Sequence, residues 1–273
     1  MRRRLPAFVV NTLLVLGALA TATPLLWMIS ASFMPAGQSN ELPPRLLPSP
    51  PTLEHYVTLF TRLDLARNLG NSMMIATGST LICVLLCGMA GYAFARLEFA
   101  GRERVFRGLV AGMLIPGQVG MLPLFLMLKG MGLVNTVAGV MIPMMAPIFG
   151  IFMVRQFALG IPRDLLDAAR IDGASEWRIF LKIVVPLLRP IMATLAIFIF
   201  LSSWNDFLWP LIVLSDDARY TLPVALANLS GEHVQDTELM MAGAVLTVMP
   251  VLMVFLVLQR HYVRGLLLGG VKG

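Results

Sequence analysis

Residues 161–190 read IPRDLLDAARIDGASEWRIFLKIVVPLLRP, and they decide how the rest of the chain is organised. The sequence around them is overwhelmingly apolar, whereas this run alternates charged with apolar residues about one glycine. Pro162 suits the first position of a helix, where a missing N–H costs nothing. Asp164 puts negative charge in the first turn, where the helix dipole favours it. Leu165, Leu166, Ala168, Ala169 and Ile171 give this helix an apolar side. Gly173 ends it, since glycine reaches the left-handed C-cap without a Cβ penalty. Ser175 caps a second helix on which Trp177, Phe180, Leu181, Val184 and Val185 recur at helical spacing. Pro186 then marks a change of direction. The expectation is two short helices hinged at Gly173, outside the membrane but tethered to it on both sides, over about 158–186.

Outward from this run, composition sets the solvent. Apolar residues make up 58% of the chain and charged residues only 13%, with a mean hydropathy of +0.80. A water-soluble domain of 273 residues could not hide that much apolar surface, so the bilayer is its natural environment. The formal charge of +6 comes from basic residues dispersed between apolar runs, the pattern of a membrane-orientation signal rather than a nucleic-acid footprint. Cys83 and Cys87 lie within an apolar run and read as inert thiols. His55, His233 and His261 are far apart and adjoin no metal-ligand pattern. No phosphate-cradling G-x-x-x-x-G-K-[ST] and no G-x-S-x-G context occurs. No catalytic residue is assigned, and any ATP-driven process needs its ATPase from elsewhere.

Six apolar spans are expected, at about 8–33, 72–94, 108–128, 136–157, 187–214 and 239–262, giving one all-α, polytopic transmembrane domain over 1–273. The first span is too long for a signal peptide. Residues 35–67 form a proline-rich connection with a short helix near Leu53 to Phe60. The second span carries Ala76, Gly78, Ser79, Gly88, Ala90 and Gly91, small residues that permit close helix packing in lipid. Arg96, Arg102, Arg104 and Arg107 form a basic connection to the third span, where Pro116-Gly117 and Pro123 predict a bent or interrupted helix. Pro143 and Pro147 fall in the fourth span. Prolines at membrane depth leave carbonyls to be satisfied by a neighbour or a wet cavity, so their grouping fits either a lined pathway or ordinary packed kinks.

Sixteen of the 21 lysines and arginines fall on one side of this topology, at the N-terminus and within 96–107, 155–189 and 260–272. Arg45, Arg62, Arg67, Lys129 and Arg219 fall on the other. That bias places the termini and the glycine-hinged loop in the cytoplasm, and six spans independently require both ends on one side.

The loop resembles the EAA loop of the integral-membrane permease subunits of bacterial ABC importers, whose form is E-A-A, three residues, G, nine residues, I-x-L-P. Here it reads Asp167-Ala168-Ala169, then Gly173, then Ile183-Val184-Val185-Pro186. Asp167 stands in place of the usual glutamate and Val185 in place of the usual leucine. The extended form IPRDLLDAARIDGAS, with Trp204-Asn205-Asp206 downstream and a C-terminal GLLLGGVKG, is similar to carbohydrate-importer permeases of the maltose and multiple-sugar type. The resemblance implies a maltose-permease-like fold in the bacterial cytoplasmic (inner) membrane and alternating-access import of a di- or oligosaccharide. It implies a second homologous permease subunit, a dimer of ATP-binding subunits and an extracytoplasmic solute-binding protein. This chain then needs no cofactor of its own, with ATP and Mg held by the partner ATPase. It assigns Asp167, Ala168, Ala169, Asp172 and Gly173 to the ATPase-facing surface. The alternative for that loop is an amphipathic hairpin resting on lipid headgroups, a poor fit for the carboxylates Asp164, Asp167, Asp172 and Glu176.

Asp206 is the acidic residue well inside an expected span, and a charge at that depth usually turns toward protein interior or a wet cavity. With Trp204, Asn205, Phe207 and Trp209 it mixes aromatic faces with hydrogen-bonding groups, the mix that recognises sugars. The equal alternative is that Asp206 caps or pins a neighbouring helix. Asn71, Gln118 and Asn228 are further candidates, each also suited to a helix–helix hydrogen bond. Alternatives of function are an ABC permease for a non-sugar solute such as glycerol phosphate, an amino acid or a polyamine, an ion-coupled secondary transporter, or a membrane-embedded scaffold.

Overall fold

A computed structural model of the chain describes residues 7–43, 45–61, 64–232 and 236–270, and every described element is helical. Arg2, Arg3, Arg4, Arg62, His233 and Lys272 lie outside the described residues. The chain divides into two compact units, residues 1–66 with 225–250, and 67–224 with 251–273.

In the first unit, α1 (Ala7–Ala31) is a 25-residue apolar helix whose large side chains, such as Leu14 and Leu26, are exposed. Apolar exposure of this extent suits contact with lipid rather than water. The proline-rich connection contains the short helix α2 (Glu54–Thr61), as the sequence predicts. His55 on α2 is buried, and its Nε2 lies 2.8 Å from the Met34 carbonyl oxygen. Glu238, in the first turn of α13 (Thr237–Gly270), is fully buried and accepts the Ser39 N–H at 2.7 Å.

The second unit holds the rest. α3 (Leu65–Arg96) is one unbroken helix of 32 residues, longer at both ends than the expected 72–94. At the expected third span, α4 (Arg102–Gly112) and the helical stretch Gly117–Gly130, which includes α5 (Met121–Gly130), meet at 99°. The stretch around Arg102, Arg104 and Arg107 is therefore helix, not an open connection. Neither half reaches the ~20 residues that span a bilayer. Pro116 precedes the break, whereas Pro123 sits in the first turn of α5, where its missing N–H costs little. α6 (Val137–Met145) and α7 (Ile148–Ala158) are separated at Ala146-Pro147 and together make a 22-residue apolar run. α8 (Arg163–Ile171) follows.

At Pro186 the expected change of direction does not occur. α9 (Glu176–Ile179) passes through a π turn, Phe180–Val184, straight into α10 (Val185–Trp204), a rod of 29 residues. A helical proline ring collides with the carbonyl four residues back. Here that carbonyl is Lys182, inside the widened turn, where the Val185 N–H bonds back to Phe180. The expected fifth span, 187–214, is accordingly displaced: the rod ends at Trp204 and a separate short helix α11 (Leu208–Val213) follows. α12 is Leu222–Glu232.

The core of this unit is the seam of α3, α7 and the α9–α10 rod. Cys83, Cys87, Tyr92, Val154, Ile179, Val184, Leu188 and Leu195 are buried in it, with Ile161 and Leu166 from the segment around α8. Helices in lipid gain no hydrophobic drive from meeting one another, so close packing must hold them. Gly91 provides it: a Cβ there would lie 2.6 Å from Val154 Cγ1 and 2.9 Å from the Arg155 backbone nitrogen. Arg155 bolts α4 to the same seam. Its Nε donates to the Phe94 carbonyl at 3.2 Å, Nη2 pairs with Glu103 at 3.0 Å, and its guanidinium stacks over Phe106 at 3.9 Å.

Gly91→Ala is expected to destabilise the protein by about 1–3 kcal/mol, the usual cost of overpacking against backbone. Gly108→Ala, with nothing within 4 Å of the added methyl, is the matched control. Thermal melting in detergent checks the pair: Gly91→Ala melts earlier and Gly108→Ala does not.

Candidate functional site

Two sites emerge from the expected residues. The first is the knob formed by α8, the turn after it and the start of α9. Its helix ends as the sequence predicts. Gly173 has φ of 79°, its N–H bonds the Arg170 carbonyl at 3.0 Å, and the Ala174 N–H bonds the Ala169 carbonyl at 3.0 Å. This pair of bonds closes the helix C-terminus in a Schellman motif. Ser175 caps α9, its hydroxyl accepting the Arg178 N–H at 3.4 Å. Pro162 occupies the cap position just before α8 rather than its first turn.

α8 is sharply two-sided. Leu166 is buried in the bundle core, Ala169 packs partly against it, and Ile161 and Ile179 pin the two ends. Asp167, Ala168, Asp172 and Gly173 face outward. Ile171, on the expected apolar side of α8, and Trp177, in the apolar repeat of the second helix, both point out, 86% and 58% exposed. With the exposed Leu165 they add an apolar component to the knob's free face. The signal was the double stripe on α8, where Leu165–Ala168 lies one residue ahead of Leu166–Ala169; the inward stripe was identifiable only from the packing.

Charges stitch the knob together. Arg170 Nη1 pairs with Asp167 Oδ1 at 2.6 Å and Arg170 Nε with Glu176 Oε1 at 2.7 Å. Glu176 first and Asp167 second hold the Arg170 guanidinium still more firmly in its charged form. All three side chains are substantially exposed, so they fix geometry more than they stabilise the fold. Glu176 Oε2 also accepts the Tyr92 hydroxyl at 3.0 Å. On the other flank the Arg96 guanidinium donates to the carbonyls of Ala158 at 3.1 Å, and of Leu159 and Ile161. Ala158 ends α7 and the other two lie in the turn into the knob, where backbone carbonyls at a helix C-terminus favour a cation.

The second site is a cavity of about 420 Å³ at the broken helix pair, lined by Gly117, Gln118, Gly120, Met121, Leu124, Pro143, Met144, Ser202, Asp206 and Trp209. Asp206 lies in the three-residue gap between α10 and α11, and its Oδ1 accepts the Trp209 N–H at 3.4 Å. Asp206 thus satisfies a first-turn N–H of α11 and also lines the cavity. Trp209 is held by a 3.2 Å bond from its indole N–H to the Gly139 carbonyl. Gly117, Gln118 and Gly120 are exposed, so the cavity is open on that side.

The structure brings together only part of the expected pathway set. Asp206 and Gln118 line the cavity, with Trp209 beside them. Trp204 does not; it is 1% exposed and stacked on Phe200 at 5.9 Å. Asn205 is turned back to cap α10, its amide donating to the Leu201 carbonyl at 2.8 Å. Asn71 stands on α3 as a clamp, donating to the carbonyls of Ala218 and Tyr220, each at 3.0 Å. Asn228 is on α12 in the other unit. Ser202, Met121 and Met144 were not anticipated: they are ordinary span residues, and only the neighbouring helix breaks hint at a cavity there.

Gly173→Ala puts a Cβ on a positive-φ residue at a strain of about 1–3 kcal/mol, with open space around it. The expected outcome is local loosening of the knob: trypsin cleavage at Arg170 or Arg178 speeds up by about tenfold, the equivalent of ~1.4 kcal/mol, with the bundle's melting unchanged.

The model of the family described as binding-protein-dependent transport system inner membrane component matches residues 85–267. The chain is 40% identical over 253 residues to an arabinooligosaccharides transport system permease protein, AraQ, of Halalkalibacterium halodurans, covering 92% of this chain and 91% of that one. It is 33% identical over 272 residues to a lactose transport system permease protein, LacG, of Rhizobium radiobacter, covering 100% and 98%. It is 35% identical over 269 residues to a trehalose transport system permease protein, SugB, of Mycobacterium tuberculosis, covering 97% and 96%. Among solved structures it is similar to a chain of a bacterial ABC transporter involved in the import of the acidic polysaccharide alginate, with a TM-score of 0.81, 23% identity, and coverage of 93% and 95%.

Proposed function

We infer that this chain, which belongs to the family of binding-protein-dependent transport system inner membrane components, is the permease subunit of an ATP-driven carbohydrate importer. It is a multi-pass, all-α membrane protein with the fold of an ABC importer permease. Its relatives are named for arabinooligosaccharide, lactose and trehalose transport and align over nearly the whole length, which supports a di- or oligosaccharide as cargo.

The observation that carries the substrate reading is the chemistry of the cavity. It offers an indole face at Trp209, an amide at Gln118, a hydroxyl at Ser202 and a carboxylate at Asp206, and none of its lining residues is Lys, Arg or His. An aromatic face covers the apolar side of a sugar ring while amide, hydroxyl and carboxylate take its hydroxyls. An anionic solute such as glycerol phosphate would want a cation here. The open side at Gly117–Gly120 is where a second permease subunit would complete the wall.

The knob is the place for coupling. With the termini and α8 in the cytoplasm, as the distribution of Lys and Arg favours, Asp167, Ala168, Asp172 and Gly173 face a partner ATPase, and Ala169, expected on that surface, stands behind them against the core. The exposed Ile171, Leu165 and Trp177 supply contact area. ATP and Mg belong to that partner, as two copies beneath the paired permeases. Leu166, Ile161 and Ile179 anchor the knob in the bundle core, so a displacement of the knob is handed to α7 and the α9–α10 rod as rigid bodies. On the opposite side, 215–238 would meet the solute-binding protein that delivers the sugar. A structural neighbour of this chain, at a TM-score of 0.55, was solved as an alginate transporter in complex with its pentasaccharide-bound periplasmic protein.

The test is uptake by the reconstituted complex. Gly173→Asp, at the knob's apex, is expected to lower ATP-dependent uptake by at least about tenfold, a coupling loss of ~1.4 kcal/mol, with membrane insertion and assembly intact. Uptake at the wild-type rate would refute the coupling role. A panel of labelled solutes tests the cargo: neutral di- and oligosaccharides compete with one another, and competition by glycerol phosphate alone would overturn the carbohydrate reading.

A further inference from the structure

The knob has so far been related to α7 and the α9–α10 rod, the elements that flank it in sequence. The hydrogen bonds point to a third. Both flanks of the knob are gripped from α3. Arg96 holds the three carbonyls at the end of α7 and the turn into the knob, and Tyr92, one turn back, holds Glu176 at the start of α9. Through Glu176 the grip continues to Arg170 and on to Asp167 on the free face. Tyr92 is 3% exposed and its ring lies 5.8 Å from that of Phe180. The phenol is therefore held in place by packing, and the hydroxyl reaches out of the core to the carboxylate.

The other end of α3 has a grip of its own. Asn71 donates to the carbonyls of Ala218 and Tyr220, and the Ser72 hydroxyl accepts the Leu222 N–H at 2.8 Å. Both residues thus hold the segment between α11 and α12, which contains the turn Asp217–Arg219. Between the two grips α3 is continuous helix without a proline. From Asn71 to Arg96 it measures about 37 Å at 1.5 Å per residue, enough to cross the hydrocarbon layer. At Gly91 it packs so closely on α7 that an added Cβ would lie 2.9 Å from the Arg155 backbone nitrogen.

We infer that α3 is a push rod that couples the knob to the segment 217–222 on the opposite side of the membrane, with Tyr92 and Arg96 as positioning residues at one end and Asn71 and Ser72 at the other. The inference rests on the permease reading above. It adds that the coupling between ATPase and binding protein runs along a helix that borders the knob in space and not in sequence. A helix with a defined contact at each end moves both ends together, so a change at 217–222 alters the position of the knob and the reverse.

A double-mutant cycle decides it. The complex of this chain with its partner permease and ATPase is placed in lipid vesicles, and ATP hydrolysis is measured with and without saturating, sugar-loaded binding protein. Tyr92→Phe keeps the ring and removes only the hydroxyl. Asn71→Ala removes the opposite grip, and Ser72→Ala is a second probe of that end. Each is expected to lower the stimulation ratio by about fivefold to tenfold, about 1–1.4 kcal/mol of coupling, with basal hydrolysis and complex yield unchanged. The double variant Tyr92→Phe/Asn71→Ala is expected to be no worse than the weaker single variant, because a rod cut at one end carries nothing from the other. Unchanged ratios in the single variants, or losses that add in the double variant, overturn the push rod while leaving the permease reading standing. A wild-type complex that performs no ATP-dependent sugar uptake overturns the permease reading itself.

Discussion

A chain in a bilayer cannot leave backbone N–H and C=O groups unpaired, and that constraint governs where this protein places its breaks. Each interruption of a helix exposes four donors or four acceptors that lipid cannot satisfy. Several breaks in the second unit are met by a specific group. The carbonyls at the end of α7 fall to Arg96, the end of α8 closes on Gly173 and Ala174, and α9 opens on Ser175. The gap at 205–207 is bridged by Asn205 and Asp206. The candidate cavity lies at such a break, because irregular backbone at membrane depth is tolerated only where protein or a wet cavity surrounds it. The cavity lies where α4 and α5 are broken from each other and where α10 stops, and the knob lies between two capped ends.

The rest of the bundle supplies stiffness. α3 and the α9–α10 rod are long and continuous, and the π turn at Phe180–Val184 makes room for the ring of Pro186. π turns often mark functional segments; this one lies where the knob becomes a membrane helix. Inner faces of the knob share one core with α3 and α7. Asp167 and Ile171 therefore stand on a block whose inner side is one packed core.

Much of this was readable from residues alone. The hinge at Gly173 and the cap at Ser175 follow from local rules that depend on a few consecutive residues, and the structure follows them. The interrupted third span was written in Pro116-Gly117, because a missing donor and a permissive backbone act locally. What local rules misjudged was context. Pro186 looked like a corner, yet a widened turn absorbs its ring. Trp204, Asn205 and Asp206 looked like one cluster, yet the chain breaks among them: Trp204 goes to the core, Asn205 to a cap and Asp206 to the cavity. Asn71 suited either a pathway or a hydrogen bond between helices, and only packing shows that it clamps a segment about 150 positions away.

The sequence by itself determined the solvent, the helical class, the glycine-hinged knob and the family to which the chain belongs. Each of these depends on composition, on periodicity or on a motif of neighbouring residues. The tertiary structure alone decided which side chains share a cavity, which apolar stripe of α8 faces out, and that α3 grips the knob at one end and the segment 217–222 at the other. Those facts depend on pairs far apart in the chain, and one sequence carries no term that links Tyr92 to Glu176 or Asn71 to Tyr220 until packing brings them within hydrogen-bond reach.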